Sequence, residues 1–138
     1  MAKRGHGTIV NLSSALAILH NANSATYSAT KAFVLTLTQA LSLDPGLAGI
    51  RFQAVLPGAT RTEIWAKSGI PLANLPQEIL MDTDEMVDAA LAGLDQGELV
   101  TIPSLPDTAE WDRYEAARQS LSRFVSRDQA AARYRPAA

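Results

Sequence analysis

The sequence contains no cysteine. That excludes disulfides, thiolate zinc sites, iron–sulfur clusters and a cysteine nucleophile. It has only two histidines, His6 and His20. A histidine-rich metal site is therefore not expected. Long apolar runs are also missing. None approaches the ~20 residues of a membrane span, so no membrane partner is expected. The N-terminus carries Lys3 and Arg4 but no apolar stretch of signal-peptide length. These absences make the cytoplasm the expected location. A strong excess of either charge is lacking too. Twelve Lys and Arg stand against 14 Asp and Glu, a net charge of −2. Bulk electrostatics thus give no reason to expect nucleic acid as a partner. What is present is an ordinary globular composition, 47% hydrophobic and 19% charged over 138 residues. That length suits one domain, 1–138. A chain of this size can bury roughly two-thirds of its unfolded surface.

Charge is unevenly spread along the chain. Residues 1–43 hold three basic side chains, Lys3, Arg4 and Lys31, and no carboxylate. From Glu63 to Asp112, eleven carboxylates face one lysine, Lys67. After Asp112 six arginines outnumber Glu115 and Asp128. Solvated helix faces are the plain reading. An acidic middle meeting a basic tail, within or between chains, is the sharper one. Chemistry located in the first 43 residues cannot draw on an Asp or Glu of that segment.

Periodicity and breakers give the order β, α, β, α, β, α. Thr8 to Leu12 is short and β-branched and reads as a strand buried on both faces. Ser24 is a candidate N-cap for a helix running to about Leu43, which Asp44-Pro45-Gly46 stops. Arg51 to Leu56 is a second strand, ended by Pro57-Gly58. Glu63 to Met81 is irregular, with room for two short helical turns. Thr83 is the expected cap of a helix from Asp84 to about Leu94. Leu99 to Ile102 is a third strand, and a final helix is expected from about Ala109 to Val125. The tail, residues 126–138, is expected to fray. Strands alternating with helices argue for an α/β fold with parallel pairing.

Tyr27 and Lys31 are four residues apart on the second segment, which stacks them on one helix face. An ammonium beside a phenol favours the phenolate, and such a phenol is a usable general acid or base. The spacing alone is common and fits a surface pair equally well. Its setting is more telling. Ser13-Ser14 lies just past the carboxyl end of the first strand. Ligands of open α/β sheets bind at such ends. The second strand ends there too, and Thr60 and Thr62 follow its Pro-Gly turn.

Together these segments resemble the C-terminal half of a short-chain dehydrogenase/reductase. Gly7-Thr8-Ile9-Val10-Asn11-Leu12-Ser13-Ser14 resembles the family's fifth strand and catalytic-serine loop. Tyr27-Ser28-Ala29-Thr30-Lys31 resembles its Tyr-x-x-x-Lys helix. The family's serine precedes the tyrosine by thirteen positions, which selects Ser14 over Ser13. Residues 49–58 resemble the sixth strand, and Pro57-Gly58-x-x-x-Thr62 the segment that contacts the nicotinamide. The resemblance covers roughly residues 3–102. It implies a partial Rossmann-like doubly wound parallel sheet, with three C-terminal strands and flanking helices. It also implies an NAD- or NADP-dependent oxidoreductase that interconverts a small-molecule carbonyl and alcohol. Tyr27 would donate or accept the proton. Lys31 would support the phenolate and bind the nicotinamide ribose. Ser14 would hydrogen-bond the substrate oxygen. Pro57, Gly58, Thr60 and Thr62 would hold the nicotinamide end of the cofactor. Homo-oligomers are frequent in the family and are a possible state here.

The sequence also departs from the family. Gln53 stands where asparagine is common, and Thr60 where a branched aliphatic is frequent. Gly5 and Gly7 precede a strand, so they cannot form the glycine-rich pyrophosphate turn that follows one. A complete dinucleotide-binding fold joins two βαβαβ halves, more than this length holds. The expectation is therefore a truncated chain, with upstream in-frame sequence encoding a strand and a glycine-rich turn. Residues 63–81 fall where the family keeps its substrate lid. Trp65, Ile70, Leu72, Leu75, Ile79 and Leu80 would form an apolar cover, with Gly69 as a hinge. A hydrophobic substrate would suit that cover, although the same side chains could simply pack on the domain. His20, in the loop after Ser14, is a further candidate for substrate contact. The alternative function is an inactive binding or self-association module, because the first strand would expose an uncovered edge.

Overall fold

The computed structural model describes residues 1–20 and 22–135. They form two compact units, Met1–Ser104 and Leu105–Ala138. The first contains three parallel strands in the order β1 (Gly7–Leu12), β2 (Ile50–Val55), β3 (Val100–Thr101). Strands β1 and β2 pair along their whole length, from Gly7 opposite Ile50 to Leu12 opposite Val55. Strand β3 pairs only through Val100 and Thr101, opposite Ala54 and Val55. Helices α1 (Ala25–Ser42), α2 (Ile64–Lys67) and α3 (Thr83–Asp95) complete this unit.

Register partners of a parallel pair share a sheet face, and faces alternate along the strand. Asn11 Nδ2 donates to Thr38 Oγ1 of α1 at 2.8 Å. Helix α1 therefore covers the face that carries Ile9, Asn11, Phe52 and Ala54. On the opposite face Gln53 Nε2 donates to the Ala90 carbonyl of α3 at 2.8 Å, and the Arg51 guanidinium to that of Leu94. Helices thus lie on both faces, the doubly wound arrangement expected from the sequence. Gly93 lets α3 approach closely. A Cβ there would lie 2.4 Å from Thr101 Oγ1.

The core is centred on β2. Phe52 to Leu56 are all buried, and Gln53 is buried with them because its amide is held by Ala90 and by Thr101 Oγ1. Strand β1 departs from the expected burial on both faces. Val10 is 47% exposed and Leu12 55%. Helix α1 covers the Ile9 and Asn11 side, while α3 packs against β3 and reaches β2 on the other. Among the described residues nothing covers Thr8, Val10 and Leu12.

Several boundaries shift for local reasons. Ser24 precedes α1, but its hydroxyl makes no capping bond. A 3-10 turn over Ala22–Ser24 runs directly into the helix, so Ser24 lacks the extended backbone that aims a cap. Thr83 does not cap α3; it is the first helical residue, and Asp82 precedes it. The Thr83 hydroxyl instead donates to the Arg61 carbonyl at 2.6 Å. The third strand is two residues long instead of four.

The second unit holds α4 (Thr108–Ser120), capped by Asp107 accepting from the Ala109 amide, and α5 (Ser122–Val125). The single expected helix is broken at Leu121. Ser120 bonds back to the Ala117 carbonyl at 2.8 Å, a local bond that competes with continued helix. Residues 126–135 are exposed, with one 3-10 turn at Ala132–Tyr134. The expected frayed tail extends to residues 136–138, which lie outside the described residues. No helix among the described residues is long and apolar enough to cross a membrane.

Candidate active site

Strands β1 and β2 end side by side, and their ladder continues past both ends. The Ser13 amide donates to the Val55 carbonyl at 2.8 Å, and the Ala15 amide to that of Pro57 at 2.9 Å. The serine loop is thereby fixed to the Pro57-Gly58 turn. Ser13, Ser14 and Pro57 are buried there.

Helix α1 is laced to the same loop from the other side. Ser13 Oγ donates to the Lys31 carbonyl at 2.7 Å, and Lys31 Nζ donates to the Leu12 carbonyl at 3.0 Å. The Lys31 ammonium lies 5.6 Å from the centroid of the Tyr27 ring. Tyr27 itself is 41% exposed in the first turn of α1. The structure thus gathers the serine loop, Lys31 and Tyr27 at the carboxyl end of β1.

The two serines are chemically distinct in this setting. The Ser13 hydroxyl is spent on α1. Ser14 Oγ accepts from the Leu16 amide at 3.2 Å and caps a 3-10 turn over Ala15–Ala17. Among the described residues its hydroxyl donates to no protein acceptor, so its proton is available to a ligand oxygen. His20 is exposed in the loop beyond this turn.

The Pro-Gly turn leads to both threonines. Thr60 is buried, and its hydroxyl donates to the Gly58 carbonyl at 3.3 Å. The Trp65 indole donates to the Thr60 carbonyl at 2.7 Å, which ties α2 to the turn. Thr62 is half-buried and lines a cavity of about 560 Å³ with Arg61, Glu63, Ala66, Leu72 and Thr83. Gly69 follows α2 with φ +76°, a left-handed conformation that favours glycine. The apolar residues expected to form a cover divide. Leu80 is buried and Trp65, Leu72 and Leu75 are half-buried, so these pack on the unit. Ile70 and Ile79 remain exposed.

Three side chains here went unnoticed in the sequence. Arg61 Nε pairs with Asp82 at 2.9 Å, and Arg61 Nη1 donates to Gln77 Oε1 at 3.0 Å. These contacts join residues far apart in the chain, so no local spacing announces them.

The groups at this edge fit the nicotinamide-ribose end of a dinucleotide: an ammonium, the Thr62 hydroxyl and an unobstructed Gly58. They do not provide for its phosphates. Gly5 and Gly7 lie before and at the start of β1, not in a turn after it.

Comparison with known proteins identifies the family. Residues 1–71, just over half of the chain, match the short chain dehydrogenase family. A short-chain dehydrogenase from Sphingobium yanoikuyae, solved in complex with NADPH, superposes with a TM-score of 0.90 at 49% identity, covering 97% of this chain and 52% of that one. The bulky-bulky ketone specific alcohol dehydrogenase from Comamonas testosteroni gives 0.82 at 44% identity, covering 98% and 49%. The cis-4-hydroxycyclohexanecarboxylate dehydrogenase of Sinomonas cyclohexanicum is 44% identical over 71 residues, 51% of this chain and 28% of that protein. The chain spans about half the length of these solved structures. The parallel sheet, the residues gathered at its carboxyl edge and these matches lead to one conclusion: the chain belongs to the short chain dehydrogenase family.

Proposed function

We propose that residues 1–104 carry the proton-transfer half of an NAD(P)-dependent oxidoreductase that interconverts a ketone and a secondary alcohol. One observation carries the reading: Tyr27, Lys31 and the serine loop meet where β1 and β2 end, with Lys31 bonded to the loop through its carbonyl and its ammonium. Tyr27 donates its phenolic proton to the carbonyl oxygen during reduction and takes it back during oxidation. Lys31 stabilises the phenolate, and its remaining ammonium hydrogens serve the nicotinamide ribose. Ser14 donates to the same substrate oxygen and steadies the charge that develops there. Thr60 and Thr62, with the Pro57-Gly58 turn, orient the nicotinamide. The bound cofactor supplies or takes the hydride. The exposed Ile70 and Ile79, next to a family relative that is specific for bulky ketones, favour a hydrophobic substrate.

The pyrophosphate turn is not among these residues. The test is NADH or NADPH oxidation by the native polypeptide with a panel of bulky aryl ketones. Ketone-dependent hydride transfer is the expected result. No transfer with either cofactor would sink the proposal.

A second reading rests on a different observation, the uncovered face and open edge of β1. The 138-residue chain then acts as a self-associating or partner-binding module without turnover. Sedimentation at increasing concentration separates the two. A monomer at all concentrations, folded and soluble, would rule this reading out.

A further inference from the structure

The segment from Glu63 to Leu80 leaves the nicotinamide turn and returns to it. Its base is closed by a parallel bridge between Thr60 and Met81. In that bridge the Met81 amide donates to the Ala59 carbonyl at 3.0 Å and the Arg61 amide to the Met81 carbonyl at 2.9 Å. Arg61 stands at the crossing point, between the two threonines. Its backbone carbonyl accepts from Thr83 at the start of α3. Its side chain forks, to Gln77 in the last 3-10 turn of the segment and to Asp82 directly before α3. Gln77 in turn donates through Nε2 to the Leu72 and Leu75 carbonyls, at 3.2 and 2.9 Å. A continuous set of bonds therefore runs from the turn that carries Thr60 and Thr62 to the apolar residues of the cover.

We propose that Arg61 is a positioning residue that couples the nicotinamide turn to the cover over the substrate. It touches neither substrate nor cofactor. It sets where Leu72 sits relative to Thr62, both on the wall of the cavity that Arg61 also lines. A planar guanidinium suits this task, because its fork reaches two acceptors in fixed directions. The ion pair with Asp82, just beyond the segment, is largely exposed and anchors the Arg61 side chain only weakly. The inference rests on the reading of Pro57–Thr62 as the nicotinamide turn.

The sequence supplies its own reporter. Between Arg61 and Arg113 the sole lysine or arginine is Lys67, inside the segment. Trypsin cleavage after Lys67 therefore reads opening of the cover, while cleavage after Lys31 and Arg113 reads loosening elsewhere. In the 138-residue chain, Arg61→Gln should raise the Lys67 cleavage rate about tenfold, the summed effect of one ion pair and one hydrogen bond. Rates at Lys31 and Arg113 should not move. Arg61→Lys should recover part of the protection. Gln77→Ala should open the segment similarly, and the double variant should open it no further. Millimolar NADPH should slow Lys67 cleavage in the native polypeptide and much less in its Arg61→Gln variant. Unchanged Lys67 cleavage in both single variants overturns the proposal, and so does equal acceleration at all three sites. If Arg61→Gln fails to fold, Gln77→Ala and the NADPH comparison decide. If the variants open the cover but NADPH protects nothing, the nicotinamide assignment fails and the clamp stands.

Discussion

Thr38 shows how one side chain ties helix to sheet. It is fully buried, its hydroxyl donates to the Val34 carbonyl at 2.8 Å, and it accepts from Asn11 Nδ2. Thr38→Val keeps the shape and leaves the Asn11 amide without that acceptor. Urea unfolding should show a loss of about 1–3 kcal/mol, the cost of an unsatisfied part-buried donor. A loss near zero would mean that water replaces the bond. At this scale the sequence revealed Tyr27 and Lys31, because a helix places i and i+4 together whatever surrounds it. It did not reveal that Ser13 serves α1 while Ser14 stays open, since that depends on contacts across 18 residues. Nor did it reveal Arg61, Gln77 and Asp82, whose association exists only once the chain has returned on itself.

Among the elements, β2 was legible from its apolar run and its Pro-Gly stop. Helix α1 was legible from its apolar spacing and the Asp44-Pro45-Gly46 breaker. What was lost was the length of β3, which depends on how far β2 offers free partners, and the break between α4 and α5. The Thr83 cap was misplaced by one residue because the hydroxyl found a better acceptor in Arg61. The close packing of α3 on β3 gives a sharp prediction. Gly93→Ala puts a methyl 2.4 Å from Thr101 Oγ1 and 2.6 Å from Glu98 Oε2. Overpacking of this kind costs about 1–3 kcal/mol, so thermal denaturation should shift down while far-UV helicity is kept. An unchanged midpoint would mean that α3 can shift outward freely.

At the scale of the whole molecule, parallel α/β architecture followed directly from the alternation of strands and helices. The openness of β1 did not, because an apolar strand reads the same whether or not both its faces are covered. The Ser13 amide points toward Val55, so by alternation those of Thr8, Val10 and Leu12 point to the open edge. Val10→Pro removes an outward donor and leaves the β1–β2 ladder intact. If the 138-residue chain self-associates through this edge, the variant should be monomeric in sedimentation runs with unchanged helical content. Association that survives the proline would place the contact elsewhere.

The proposed chemistry turns on Tyr27 moving the proton. Its most direct test is steady-state turnover of the native polypeptide and of Tyr27→Phe with a bulky aryl ketone, alongside NADPH binding. Losing a positioned acid–base group should lower kcat by about 10²–10⁴-fold. NADPH affinity should stay close to that of the unmodified protein. Turnover within a few-fold of the unmodified protein at neutral pH would contradict the account.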